Sequence, residues 1–311
     1  MTGTMRVGSK GRLSEAASGY LFVAPALLIV ALLALVPILT AMWLSLYRHL
    51  PIFGITEFVG LRNYLALWSD QRFWSACATT LYFTGVSVGA ELLLGLGIAL
   101  LLDQPWNAAG KEQTEAERWL RVVMLIPWTV PTVVSARMWE WLYQTDYGLL
   151  NHLLMTAGVI EGPVNWLGHP YWALHAAIAM DVWKATPFAA LLLLAGLKAI
   201  PPDLYRAARV DGASRWSIFR HITLPLLLPV MLVVLAFRTM DAFRVFDAVY
   251  VLTGGGPGNS TETLSIYTYD VLFQTLRFGY GSALASVIFA MILMLTAASF
   301  IVMRRRLHAV V

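Results

Sequence analysis

Arg238, Asp241, Arg244 and Asp247 follow one another at intervals of three, with alternating charge. On a helix such neighbours face each other, so the row can neutralise itself along one side. It closes a long apolar stretch, and a charged side chain deep in a bilayer costs about 2.5–3.5 kcal/mol on insertion scales unless it finds a partner or a wet cavity. Two readings stand side by side. The row is an ion-pair ladder that holds the end of a helix, or it is a stripe facing a polar pathway. In the second case its charge-balanced groups would hydrogen-bond the hydroxyls of an uncharged solute. Lys184 has Asp181 three residues before it, and Arg137 has Glu140 three residues after it. Each can pair locally, and Glu91 can find its partner on another helix.

A second constellation lies in residues 199–225. Pro202 fits the first position of a short helix and Asp203 its first turn, where the dipole favours an acid. Arg206 and Arg209 lie toward its carboxyl end, Gly212 suits a left-handed stop, and Ser214 suits the cap of a second helix. Pro225 and Pro229 mark entry into the next apolar stretch. Ala207, Ala208, Gly212 and Ala213 let another surface come close, and Trp216 and Phe219 offer an aromatic end. The bland alternative is a solvated basic loop that only sets topology. Its organisation favours a docking element for a partner. The stretch from Gly254 to Thr261 is rich in turn formers, as a connector between helices requires.

Other chemistries are missing from the sequence. It has no Gly-x-x-x-x-Gly-Lys-[Ser/Thr] phosphate loop, and its six histidines show no metal-binding spacing. No Gly-x-Ser-x-Gly nucleophile elbow occurs. Cys77, the single cysteine, excludes an internal disulfide and reads as a small packing residue.

The elements that carry these residues are membrane spans. Of 311 residues, 59% are hydrophobic and 13% charged, against about 45–50% and 25% in an ordinary soluble domain. The mean hydropathy is +0.67. A soluble enzyme, a disordered chain and a nucleic-acid-binding domain are excluded. Six stretches reach the length of about 20 residues that a bilayer demands: residues 20–46, 76–102, 122–142, 171–197, 222–242 and 282–303. The third is interrupted by Pro127, Pro131, Arg137 and Glu140, so it belongs inside the bundle, where freed backbone groups can be satisfied.

Fourteen of the 22 Lys and Arg residues fall on one side of this topology and five on the other, with Arg137, Lys184 and Arg238 inside spans. The positive-inside rule then puts both termini in the cytoplasm. One all-α membrane domain is expected over residues 19–303, with cytoplasmic segments at 1–18 and 304–311. Residues 52–74 are expected to include a short amphipathic helix on the outer surface.

The spacing Arg206-Ala207-Ala208, three residues, Gly212, nine residues, Ile222, one residue, Leu224-Pro225 resembles the signature loop of binding-protein-dependent ABC importer permeases. The departure is Arg206, where that family usually carries Glu. Ile126-Pro127-Trp128, Trp183-Lys184-Ala185-Thr186-Pro187-Phe188 and Leu252-Thr253-Gly254-Gly255-Gly256-Pro257 are similar to the sugar-permease branch. The run from Phe237 to Asp247 is similar to trehalose and maltose permeases.

The resemblance implies a type I importer bundle of six spans in a bacterial or archaeal cytoplasmic membrane. It implies a second permease subunit, two cytoplasmic ATPase copies holding ATP and Mg, and an extracytoplasmic sugar-binding protein. The chain itself would bind no cofactor and catalyse nothing. The loop 198–221 would couple it to the ATPase through Arg206, Ala207, Ala208, Asp211, Gly212 and Trp216. The sugar would pass Trp128, Thr132, Lys184, Arg238, Asp241 and Arg244, and the binding protein would meet Gly255, Gly256 and Pro257. A di- or oligosaccharide is the expected solute, trehalose or maltose first, with glycerol phosphate as the alternative. An ion-driven secondary transporter and an intramembrane enzyme are the alternatives from other classes.

Overall fold

The computed structural model describes residues 15–103 and 115–307. The expectations for the N-terminal cations, for Lys111 and for the last four residues lie outside them.

Helix α1 (Glu15–Val30) continues through a wide turn at Ala31–Leu35 into α2 (Val36–Leu44). Strands β1 (Tyr47–Leu50) and β2 (Ile55–Phe58) form an antiparallel hairpin, with Tyr47 opposite Phe58 and Leu50 opposite Ile55. The short helix α3 (Arg62–Trp68) leads into α4 (Gln71–Asp103). Then come α5 (Glu115–Met124), α6 (Ile126–Thr129), α7 (Thr132–Leu142), α8 (Leu149–Thr156) and α9 (Pro170–Lys198). The paired helices α10 (Pro202–Val210) and α11 (Arg215–Ile218) precede α12 (Leu224–Phe243). Helices α13 (Asp247–Leu252), α14 (Leu264–Tyr269) and α15 (Phe278–Leu307) are the last of the described elements.

Among the described residues, five helices are long and apolar enough to cross a membrane: Gly19–Leu44, Gln71–Asp103, Pro170–Lys198, Arg215–Phe243 and Phe278–Arg305. The third expected span is not one straight helix. It is Val122–Thr129 and Thr132–Leu142, bent by 96°. The cause is local. Val130 precedes Pro131, whose ring disfavours helical geometry in the residue before it, and Val130 is extended at ψ 133°. Counting that pair, successive spans put the hairpin, α3, α8, α13 and α14 at one end of the bundle and α10–α11 at the other.

The bundle is built on α4 and α9, which share the most extensive contact. Small residues allow it: a Cβ on Gly95 would stand 3.1 Å from the Ala190 nitrogen and 3.2 Å from the Ala189 Cβ. Close approach of this kind drives helix association in lipid, where no hydrophobic force acts between helices. Gly196 does the same for α12, facing Leu227 and Val230. The apolar window of α9 is 61% buried, whereas those of the first and last spans are 0% buried. Within residues 52–74 the helix ahead of α4 is α3. The residues before α3 form the hairpin, the one departure from an all-helical reading among the described residues. Cys77 is buried among Phe73, Tyr280 and Leu284, as a packing residue should be.

Candidate functional site

Arg238 lies inside the bundle, its side chain 7% exposed. It grips Glu91 of α4 with two bonds, Nε to Oε2 at 2.6 Å and Nη2 to Oε1 at 2.8 Å. Nη2 also reaches Asp181 of α9 at 3.3 Å, and Nη1 donates to Asp241 one turn along α12. One guanidinium thus joins three helices through three carboxylates. The charge ladder of 238–247 is therefore only partly self-contained. Arg238 finds its main partner on another helix because Glu91 is fully buried and offers a planar two-oxygen acceptor for the guanidinium fork. Beyond Phe243 the helix ends, so Arg244 and Asp247 do not continue one face. Arg244 reaches back to Asp241 at 3.5 Å.

In front of this cluster is a cavity of about 220 Å³. Thr132, Asp181, Asp241, Arg244, Phe246 and Asp247 line it. The expected residues Thr132, Asp241 and Arg244 are brought together there. Arg238 stands behind Asp241 instead of lining the space. Asp241 is 57% and Arg244 69% exposed at the side chain, so both present polar atoms to this space.

Lys184 and Trp128 sit at the bend of the third span. The Lys184 ammonium donates to the Val130 carbonyl and, at 3.4 Å, to the Trp128 carbonyl. Of the readings open to it, the ion pair with Asp181 is not formed: Asp181 faces Arg238, and Lys184 satisfies carbonyls that lost their helical partners at the bend. The Trp128 indole stacks on Phe188 at 5.3 Å and 12°, and is 47% exposed. Arg137 and Glu140 pair locally at 2.6 Å, as expected.

At the opposite end, α10 and α11 have the local chemistry read from the sequence. Asp203 accepts from Arg206 at 2.9 Å, a pairing of exposed side chains in which Arg206 engages its own helix. Gly212 sits at φ 76°, where other residues are strained. The Ser214 hydroxyl accepts from the Ser217 amide at 3.2 Å. Tyr205 anchors the pair to the core, its hydroxyl 3.3 Å from that of Thr223, and burial pushes its phenol pKa up. Arg206, Ala207, Asp211, Gly212 and Trp216 are exposed, while Ala208 turns inward toward the core. Trp216 lies 5.5 Å from Phe219. The exposed apolar Val210, three residues after Ala207, belongs to the same face and was missed. Helical spacing from Ala207 was the available signal.

The loop after α13 is ordered. Thr253 and Thr261 share a hydrogen bond of 2.7 Å, and Thr261 donates to the Gly256 carbonyl at 2.8 Å. Gly255 is buried, and a Cβ there would stand 3.2 Å from Ile266. It cannot meet a partner directly, whereas Gly256 and Pro257 are half-exposed. The loop is tied to α4 by charges the sequence reading missed. Arg72 Nε donates to Glu262 at 2.8 Å and Nη2 to Asp270 at 2.8 Å, and Thr80 accepts from the Leu264 amide at 2.9 Å. Asp70, just before α4, accepts from the hydroxyls of Tyr267 and Tyr280. Burial works to raise the Asp70 pKa, but these bonds and the amides of Arg72 and Phe73 outweigh it and hold the carboxyl below its usual range.

Spanning helices on a broken third span, a small polar cavity among them and a structured helix pair at the far end define a transport-type membrane domain. Residues 108–308 match the family described as binding-protein-dependent transport system inner membrane component. The chain belongs to that family and is a permease subunit. It is 46% identical over 288 residues to the trehalose/maltose transport system permease protein of Thermococcus litoralis, covering 93% of this chain and 94% of that one. It is 40% identical over 286 residues to the trehalose transport system permease protein of Mycobacterium tuberculosis, covering 91% and 87%. A sulfoquinovosyl glycerol transport system permease protein of Agrobacterium fabrum is 38% identical over 288 residues, covering 92% and 90%. In fold, the chain matches a solved chain of a bacterial alginate ABC transporter in complex with an alginate pentasaccharide-bound periplasmic protein. The TM-score is 0.78 at 22% identity, over 93% of this chain and 94% of that one. The expected type I ABC permease fold is therefore the fold of this chain.

Proposed function

We propose that this chain forms one half of the translocation pathway of an ATP-driven sugar importer, with trehalose or maltose as its solute. The observation that carries the reading is the cavity where Thr132, Asp241 and Arg244 meet in front of the Arg238–Glu91 pair. A disaccharide has many hydroxyls and no net charge, and charge-balanced side chains suit it as donors and acceptors. Trp128, half-exposed nearby on α6, supplies an aromatic face. At about 220 Å³ the cavity is smaller than the usual ligand site of about 300–1,000 Å³. A second permease subunit completes it.

On this reading the exposed surface of α10–α11 docks on one of the two ATPase subunits, and that end lies in the cytoplasm with both termini. Gly256 and Pro257 face the extracytoplasmic binding protein. ATP and Mg stay on the partner ATPase, and the chain itself is non-catalytic. The Agrobacterium relative supports a second reading in the same class, a sugar linked to glycerol.

The test is to purify the complex with its binding protein and screen sugars for stimulation of ATP hydrolysis. Trehalose or maltose is expected to stimulate it. Stimulation by glycosyl glycerols or glycerol phosphate alone would replace the disaccharide reading.

A further inference from the structure

A groove of about 630 Å³ lies at the end of the bundle opposite α10–α11, between the hairpin, α3 and the start of α15. Arg48 from β1, Arg62 from α3 and Arg277 from the approach to α15 converge on it, with Glu57 as the one acid in its lining. Arg48 and Glu57 pair weakly across the hairpin at 3.9 Å, both more than half exposed. Arg62 and Arg277 make no ion pair among the described residues, and Arg277 lies over the Tyr280 ring at 4.6 Å.

The groove is held by fixed contacts. Asn63 donates to the carbonyls of Ser45 at 2.7 Å and Tyr47 at 3.0 Å, pinning α3 to the hairpin. Gly279 lets β1 lie against α15, since a Cβ there would stand 1.9 Å from the Tyr47 carbonyl oxygen.

Its surroundings place it at the edge of the lipid. It sits where α2 leaves and α15 enters the apolar zone. Trp43 at the end of α2, Trp68 at the end of α3 and Trp74 at the start of α4 are all exposed, at 56%, 75% and 44%. Tryptophan concentrates at the level of lipid headgroups. The hairpin tip adds Ile52 and Phe53, exposed at 67% and 73%. Unpaired arginines at that height, between two spans, fit a phosphate with its fork geometry.

We infer that this groove binds the phosphate headgroup of an anionic phospholipid in the leaflet away from α10–α11. The ligand's acyl chains lie along the exposed faces of α2 and α15. Two arginines with no protein carboxylate receive the phosphate, and the aromatic residues fix its depth.

The experiment uses the whole transporter complex, purified and then exchanged into nanodiscs holding phosphatidylglycerol and phosphatidylcholine. Lipids that survive delipidation are counted by native mass spectrometry. The wild type is expected to retain one more phosphatidylglycerol per copy of this chain than the variant carrying both Arg62→Gln and Arg277→Gln. Its affinity for that lipid is expected to exceed the variant's by about tenfold or more. The Arg62→Lys and Arg277→Lys pair is expected to restore most of the retention, which guards against misfolding as the cause. Equal retention by wild type and the Gln variant would overturn the inference. So would displacement of the lipid by inorganic phosphate alone, which would mark a free-anion site. Unchanged lipid retention with weakened binding-protein affinity would assign the groove to a protein partner and overturn it as well.

Discussion

Arg238 Nε and Glu91 Oε2 stand 2.6 Å apart across 147 positions of sequence, and the contact binds α12 to α4 inside the bundle. Asp181 and Asp241 complete the coordination of the same guanidinium. Removing one partner of a buried pair costs about 3–5 kcal/mol, because the other charge is left uncompensated. Arg238→Met strands Glu91 and Asp181 together, and is expected to lower the thermal midpoint of the purified complex more than Glu91→Gln does. Glu91→Gln leaves Arg238 with two carboxylates, so its effect falls toward about 3 kcal/mol. An Arg238→Met complex as stable as the wild type would contradict the organising role of this side chain.

Asp241 and Arg244 have a different place, exposed in the cavity in front of that cluster. Asp241→Ala or Arg244→Ala is expected to lower sugar-stimulated uptake without preventing assembly. Loss of a hydrogen bond to a charged group is worth about 1.5–3 kcal/mol. Transport should therefore fall by about tenfold to a hundredfold at subsaturating sugar. Wild-type uptake at equal complex levels would remove both residues from the pathway.

Gly212 turns the chain between α10 and α11 at φ 76°, which proline's fixed negative φ cannot adopt. Gly212→Pro is expected to abolish sugar-stimulated ATP hydrolysis by the complex. Trp216→Ala, which removes an exposed ring and leaves the turn intact, is expected to weaken co-purification of the ATPase without loss of the permease. Normal ATPase stimulation in both variants would show that this face is not the coupling surface.

Asp70 links stability to pH. Its carboxyl lies below the ordinary range in the folded protein, so the unfolded chain takes up the proton first as pH falls. The stability it contributes is fully present above the ordinary carboxylate value of about 3.9. It is lost as pH drops through the folded value. The denaturant midpoint of the wild type is expected to exceed that of Asp70→Asn at neutral pH, and the gap to close in acid. A gap that stays constant with pH would assign the effect to packing alone.

The parts of the structure set by local chemistry were legible in the sequence. The spans follow from apolar length, and the α10–α11 pair follows from Pro202, Asp203, Gly212 and Ser214, each within a few residues of its effect. Pro127 and Pro131 announced that the third span is irregular, and its 96° bend falls at Val130–Pro131. Contacts between distant segments were not legible. Arg238 had Asp241 three residues away, and nothing local pointed to Glu91. Lys184 had Asp181 equally close, yet its ammonium went to the Val130 carbonyl, an acceptor created only by the bend. The Arg72–Glu262 tie joins positions 190 apart and depends on how the loop after α13 folds back onto α4. The hairpin was hidden because its two short strands carry little alternation and lie between stronger helical signals.

The central claim is that this chain lines the pathway of an ATP-driven sugar importer. The most direct test is uptake of labelled trehalose by proteoliposomes holding the whole complex. The binding protein is supplied on one side and ATP on the side of α10–α11. Uptake is expected to require both ATP and binding protein, to persist when ion gradients are collapsed, and to fall with Asp241→Ala. Uptake that survives without ATP but stops when an ion gradient is removed would contradict the account.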